Sequence, residues 1–223
     1  MKNLSRKIAV ATVCSLTLGF IVFGCVTENE NAELTDSAKI KKDAKFVVSS
    51  YDHLMNSLNQ ENSRFVIPST LTQESIDNYL VQLNLQPGSV DVAAVTEIVS
   101  KLSDVAEQGN DAVIESTLYS TFTKEKLKEI AEGNLVENLE VIPEFADLSL
   151  SEKELLILCN NIAREYIETH EMRYGGNGDL DCPSSACGVA YAIIGATTGT
   201  AICGLPCGIV GGIIGLILGT AGK

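Results

Sequence analysis

Seven cysteines and two histidines carry most of the chemical reactivity of this 223-residue chain. A thiol beside a membrane-directed segment can take a lipid, paired thiols can crosslink turns, and an imidazole can bind metal or move protons. The histidines offer little. His53 follows Tyr51-Asp52, and His170 precedes Glu171 near the end of a helix-period stretch. Each reads as a surface residue, and a His in a last helical turn interacts favourably with the helix dipole. Glu125, Glu129 and Glu132 are interleaved with Lys124, Lys126 and Lys128. That pattern is a solvated helix face, not a carboxylate pair set for acid–base work. Asp179 and Asp181 follow Gly178, and two carboxylates do not make a calcium loop. No H-E-x-x-H, phosphate loop or G-x-S-x-G occurs, so the motif set offers no metalloprotease, nucleotide or acyl-transfer site. Cys159 lies on an apolar helix face and reads as a buried, inert thiol, with a disulfide to the tail as the alternative. The expectation is a non-enzymatic protein with no catalytic residue, no metal and no cofactor.

Cys25 is different, because of what precedes it. Lys2, Arg6 and Lys7 form a positive stub, and Ile8 to Gly24 then run without a charge. A positive stub before an apolar stretch ending in small residues is the pattern of an export signal. The stretch closes on Val22-Phe23-Gly24-Cys25. These four residues resemble a bacterial lipoprotein lipobox, with Phe23 where that pattern has a small residue. The resemblance implies cleavage before Cys25, loss of Cys14 with the signal, and a lipid on Cys25. An uncleaved anchor and ordinary signal cleavage are the alternatives. Residues 26–37, VTENENAELTDS, are polar and acidic, a linker composition. An acidic stretch after a lipidated Cys also resembles the surface-export tags of some lipoproteins; a plain solvated spacer is the simpler reading.

The elements that must position these residues follow from charge and period. Residues 26–181 hold 12 cations against 29 acids, a net of −17, while residues 182–222 hold no charge at all. Such a negative balance argues against nucleic acid, which needs clustered Lys and Arg. Aromatics are 5% and Trp is absent, which suits an aliphatic helical core. From Ala38 the apolar residues recur at three- and four-residue intervals: Ile40, Ala44, Val47, Val48, Tyr51, Leu54, Met55 and Leu58,. A second helix carries Ile76, Tyr79, Leu80 and Leu83. A third, capped by Ser89 or Asp91, carries Val92 to Ala106 and stops at Gly109. A short helix around Val113, Ile114, Leu118 and Tyr119 precedes one starting at Thr123 and closing near Gly133. Residues 134–148 show no period, and Pro143 forbids a long helix there. Ser149 and Glu152 match a capping box that opens the longest helix, through Tyr166 and Ile167. The fold class is all-α.

The tail repeats glycine. Ten of the 18 glycines fall within 182–223. Gly211, Gly215 and Gly219 recur every four residues, as do Gly208 with Gly212 and Gly195 with Gly199. Four-residue spacing stacks glycines on one helix face, where a second backbone can approach closely. The sequence is of the glycine-zipper type. Residues 187–222 would make a helix of about 54 Å, too long for a single crossing of about 30 Å. Pro206 is the natural break, giving arms 187–203 and 208–222. A helical first arm separates Cys187 from Cys203 by about 24 Å, beyond disulfide reach. Cysteine pairing must then be local: Cys182 with Cys187, and Cys203 with Cys207.

The expected organisation is therefore 1–24 signal, 25–37 lipidated Cys and acidic linker, 38–174 acidic helical domain, 175–186 Gly-rich linker, and 187–223 apolar glycine-zipper hairpin. Gly208, Gly211, Gly212, Gly215 and Gly219 are the expected helix-packing positions. Two functions fit. One is a bacterial cell-envelope lipoprotein, periplasmic or surface-exposed, whose tail associates with the lipid bilayer and with a second copy. The other is a precursor from which a cut near Gly175-Gly176 releases residues 177–223. That segment is similar in size and texture to bacteriocins, including halocin-like Cys-rich ones. A hairpin buried inside the helical domain is the alternative state of the tail.

Overall fold

The computed structural model describes residues 37–60, 72–82, 85–170 and 184–221. All lie in one compact unit running from Leu34 to Lys223. Among the described residues the chain is all-α, as the periodicity requires. The helices are α1 (Ser37–Gln60), α2 (Gln73–Gln82), α3 (Val92–Gln108), α4 (Asn110–Glu115), α5 (Thr121–Ala131), α6 (Pro143–Ala146), α7 (Leu150–Thr169), α8 (Ser184–Cys203) and α9 (Leu205–Ala221). Of the helices whose ends are described, the longest is α1, at 24 residues, and not α7, at 20.

Local chemistry sets the ends. Asp91 Oδ1 accepts from the Ala94 N–H at 2.7 Å and starts α3, and Gly109, at φ 84°, ends it, as a side-chain N-cap and a glycine stop should. Ser120, three residues earlier than the sequence suggested, caps α5, which leaves Thr123 fully buried. Ser149 and Glu152 form the capping box of α7. Pro143 sits in the first turn of the four-residue α6, where its missing N–H costs nothing. The irregular stretch before it is held by Asn160, whose amide spans the Val136 N–H and C=O at 3.0 and 2.9 Å.

Where the apolar stripes point is the main departure from expectation. Ile40, Ala44, Val47 and Val48 of α1 and Leu155, Leu158, Cys159 and Ile162 of α7 are buried in the same cluster as Val189, Ile193, Ile213 and Ile217 of the tail. Helix α8 packs on α3, α4, α5 and α7, and α9 packs on α1, α3 and α7. The domain boundary expected between 38–174 and 187–223 is absent from the packing. The tail lies at the centre, and the amphipathic helices sheathe it. The physical reason is that each outer helix has one apolar face needing cover, and the uncharged tail supplies cover on all sides. A smaller cluster joins Ile76 and Leu80 of α2 and Val90, Ala94 and Val95 to Cys207 and Val210 of α9.

Candidate functional site

The helix pair at the centre is built by its glycines. Added Cβ atoms at Gly195 and Gly211 would each overlap the other's backbone carbonyl. Gly199 lies against the Cys207 and Gly208 backbone, Gly215 against Tyr191 and Ala192, and Gly219 against the Cys187 carbonyl, 2.6 Å from an added Cβ. The partner numbers rise on α8 as they fall on α9, so the two helices run antiparallel. The contact is backbone on backbone, which only glycine permits at this spacing. Of the five glycines expected to pack, Gly208, Gly211, Gly215 and Gly219 meet α8. Gly208 faces the Thr200 hydroxyl and Leu158, and Gly212 faces Ile162 of α7 and Val47 of α1. The zipper face is thus occupied within the chain.

The turn between the two helices is one residue, Gly204, at φ 77°. The break falls there and not at Pro206, which lies in the first turn of α9. Cys203 and Cys207 are disulfide-bonded across it with Cα atoms 5.5 Å apart, the local pairing that helix geometry demanded. Cys187 is also disulfide-bonded; Cys182 lies outside the described residues, as do Cys25, Gly175–Gly178, Asp179 and Asp181. Threonines in this apolar setting bond the preceding turn, Thr197 to the Ile193 carbonyl at 2.6 Å and Thr220 to the Leu216 carbonyl at 2.7 Å,. Cys159 is a free, fully buried thiol. Burial pushes its pKa up, against a smaller opposing effect from Thr197, so it is a packing residue and not a nucleophile.

Two clusters at the edges of the pair escaped the sequence. The first is a clasp over the open end. His170 Nε2 lies 3.0 Å from Asp52 Oδ1 on α1, and Nδ1 lies 3.0 Å from the Tyr166 carbonyl. The ring stacks on Tyr166 at 4.2 Å, and Tyr51 tilts against both. An added Cβ at Gly188 would come within 3.2 Å of the Tyr166 hydroxyl and 2.9 Å of Thr220, so the clasp rests on the first turn of α8 and the last of α9. His53, by contrast, is exposed.

The second is a cleft of about 720 Å³ at the turn end, between the α4–α5 loop, the start of α7 and the end of α8. Glu152 ties it together. Its carboxylate accepts from the Ser120 N–H at 2.7 Å and from the Ser149 hydroxyl at 2.8 Å. Burial alone would raise its pKa, but hydrogen bonds from Ser120, Ser149 and Thr123 outweigh that and lower it. Tyr119 donates to the Thr197 carbonyl at 3.2 Å, and burial raises its pKa. Ser120 and Ser149 cap α5 and α7, and each donates a hydrogen bond to the Glu152 carboxylate, Ser120 through its backbone N–H. Among the described residues no group of three His, Cys, Asp or Glu side chains is placed to hold a metal ion. Lys128 and Lys126 pair with Glu115 and Glu129 at 2.6 and 2.9 Å, the solvated face expected of that segment. No described helix is long and apolar enough to cross a membrane. Comparison with protein-family models, curated proteins and solved structures found no match.

Proposed function

We propose that the protein is a non-enzymatic cell-envelope lipoprotein, tethered through Cys25, whose acidic helical body carries a Gly-rich hairpin able to associate with lipid. One observation supports this reading above the others. Helices α8 and α9 contain no charged residue, and their backbones pair closely through glycine. A helix apolar all round suits either a protein core or a bilayer. Glycine costs about 1 kcal/mol against Ala in a helix exposed to water, and it is best placed where backbones must meet. Cys25→Ser tests the tether: acyl labelling and precursor processing should both disappear. Normal processing of that variant refutes the lipoprotein reading.

A second reading is favoured by the backbone pairing of α8 with α9 and the Cys203–Cys207 staple. In it the hairpin is the cargo of a bacteriocin-like precursor, freed by cleavage near Gly175-Gly176. The mass of the mature protein separates the two. The first reading gives one lipidated species of residues 25–223, and the second gives a separate 47-residue fragment, 177–223.

A further inference from the structure

We infer that the turn of the α8–α9 pair is a docking surface for a neutral lipid bilayer. The inference deepens the envelope reading above and rests on it. Although the pair is sheathed along its length, its turn emerges. Ala201, Cys203 and Pro206 are exposed, and Ile202 and Leu205 are only partly covered. Leu118, on the α4–α5 loop, lines the same cleft as Ala201 and Ile202 and is 104% exposed relative to an isolated residue. Glu97, Lys101 and Glu152 line the same cleft, so the apolar surface is the turn itself, with Leu118 at its edge. Residues 182–222 carry no charge, whereas residues 26–181 carry a net −17. Like-charge repulsion therefore turns the body away from anionic lipid, and the uncharged tip is the part suited to a zwitterionic surface.

Reach is no obstacle. Eleven residues separate Cys25 from Ser37, spanning at most about 40 Å when extended. A body of this size has a radius of gyration of about 16 Å, so a chain tethered at Cys25 can bring its tip to the bilayer. Beneath the tip, Val90, Ala94 and Val95 cover Cys207 and Val210 together with Ile76 and Leu80 of α2. The polar ties of α2 run to the neighbouring turn, not to α9: Gln73 bonds Val90 and Val92, and Asp77 bonds Gly88.

The absence of Trp permits a clean test. Full-length chains with Leu205→Trp, or with Ala201→Trp should the first disturb packing, are mixed with phosphatidylcholine vesicles. A control carries Val141→Trp, at an exposed position 77% accessible in the turn before α6. The expected result is a blue shift and quenching by brominated phosphatidylcholine at 205 or 201, and neither at 141. In a chain of residues 26–223, which lacks both the lipid and the apolar residues 8–24, Leu118→Asp should weaken vesicle binding about tenfold, the loss of one buried aliphatic side chain. Co-flotation with a silent reporter at 205 and 201 overturns the tip assignment and leaves the envelope reading standing. Failure of the lipidated chain to float overturns both. A blue shift that needs no vesicles and grows with protein concentration makes the occupant a second copy, and overturns the lipid assignment.

Discussion

Gly211→Ala tests the backbone-on-backbone packing with a change of one methyl. In an exposed helix this substitution stabilises by about 1 kcal/mol, because Ala loses less chain entropy than Gly. Here the new Cβ would overlap the Gly195 carbonyl. The obstacle is backbone on the facing helix, so no rotamer change can relieve it, and the helices must part. Overpacking of this kind costs about 1–3 kcal/mol, and the rigid neighbour places it toward the upper end. The net expectation is a loss of about 2 kcal/mol. For a folded unit of this size that lowers Tm by about 4–8 °C. Gly212→Ala is the matched control. Its Cβ would meet the Ile162 δ-methyl at 3.1 Å and Val47 at 3.4 Å, side-chain ends that can yield, so its effect should lie near zero. Thermal melts followed by circular dichroism read both. If Gly211→Ala raises Tm, or matches Gly212→Ala, the two helices do not approach through glycine and the packing account is wrong.

Three further outcomes follow from the edge clusters. Ser149→Ala should cost about 1 kcal/mol through loss of the α7 cap. Glu152 has a folded pKa below its usual 4.5, so it contributes stability above that pH and loses it as pH falls through the folded value; Glu152→Gln should therefore flatten the acid limb of a denaturation series, and an unchanged limb refutes the assignment. His170→Ala removes two hydrogen bonds and the Tyr166 stack, with a cost of about 1 kcal/mol in urea denaturation, whereas Asp52→Asn keeps an acceptor and should cost less; equal or absent effects would mean the clasp contributes nothing.

What the sequence made legible was what is local. Asp91, Gly109, Ser149 and Glu152 act within a turn of themselves, so spacing alone places the helix ends. The stripe from Ile40 to Tyr51 is readable because period 3.6 marks a face. The destination of that face is not readable, since a buried stripe has the same pattern whatever covers it. The tail shows the same limit from the other side. A segment uncharged all round is satisfied equally by lipid and by protein, and its glycines promise a close partner without naming which. That Gly211 meets Gly195 of its own chain, and that His170 reaches Asp52 across 118 positions, are properties of the tertiary fold. A Gly-rich linker such as 175–186 separates two segments along the chain, which does not give each its own core.

The most direct measurement is the cooperativity of the body without its tail. A fragment of residues 37–170 lacks Val189, Ile193, Ile213, Leu216 and Ile217, each at or below 1% exposure in the intact chain. Near-UV circular dichroism and a thermal melt of that fragment, with and without a peptide of residues 184–221, decide the matter. The fragment alone should be helical without a cooperative transition, and the peptide should restore one. A cooperative melt of the lone fragment near the temperature of the whole chain would contradict a body built around the hairpin.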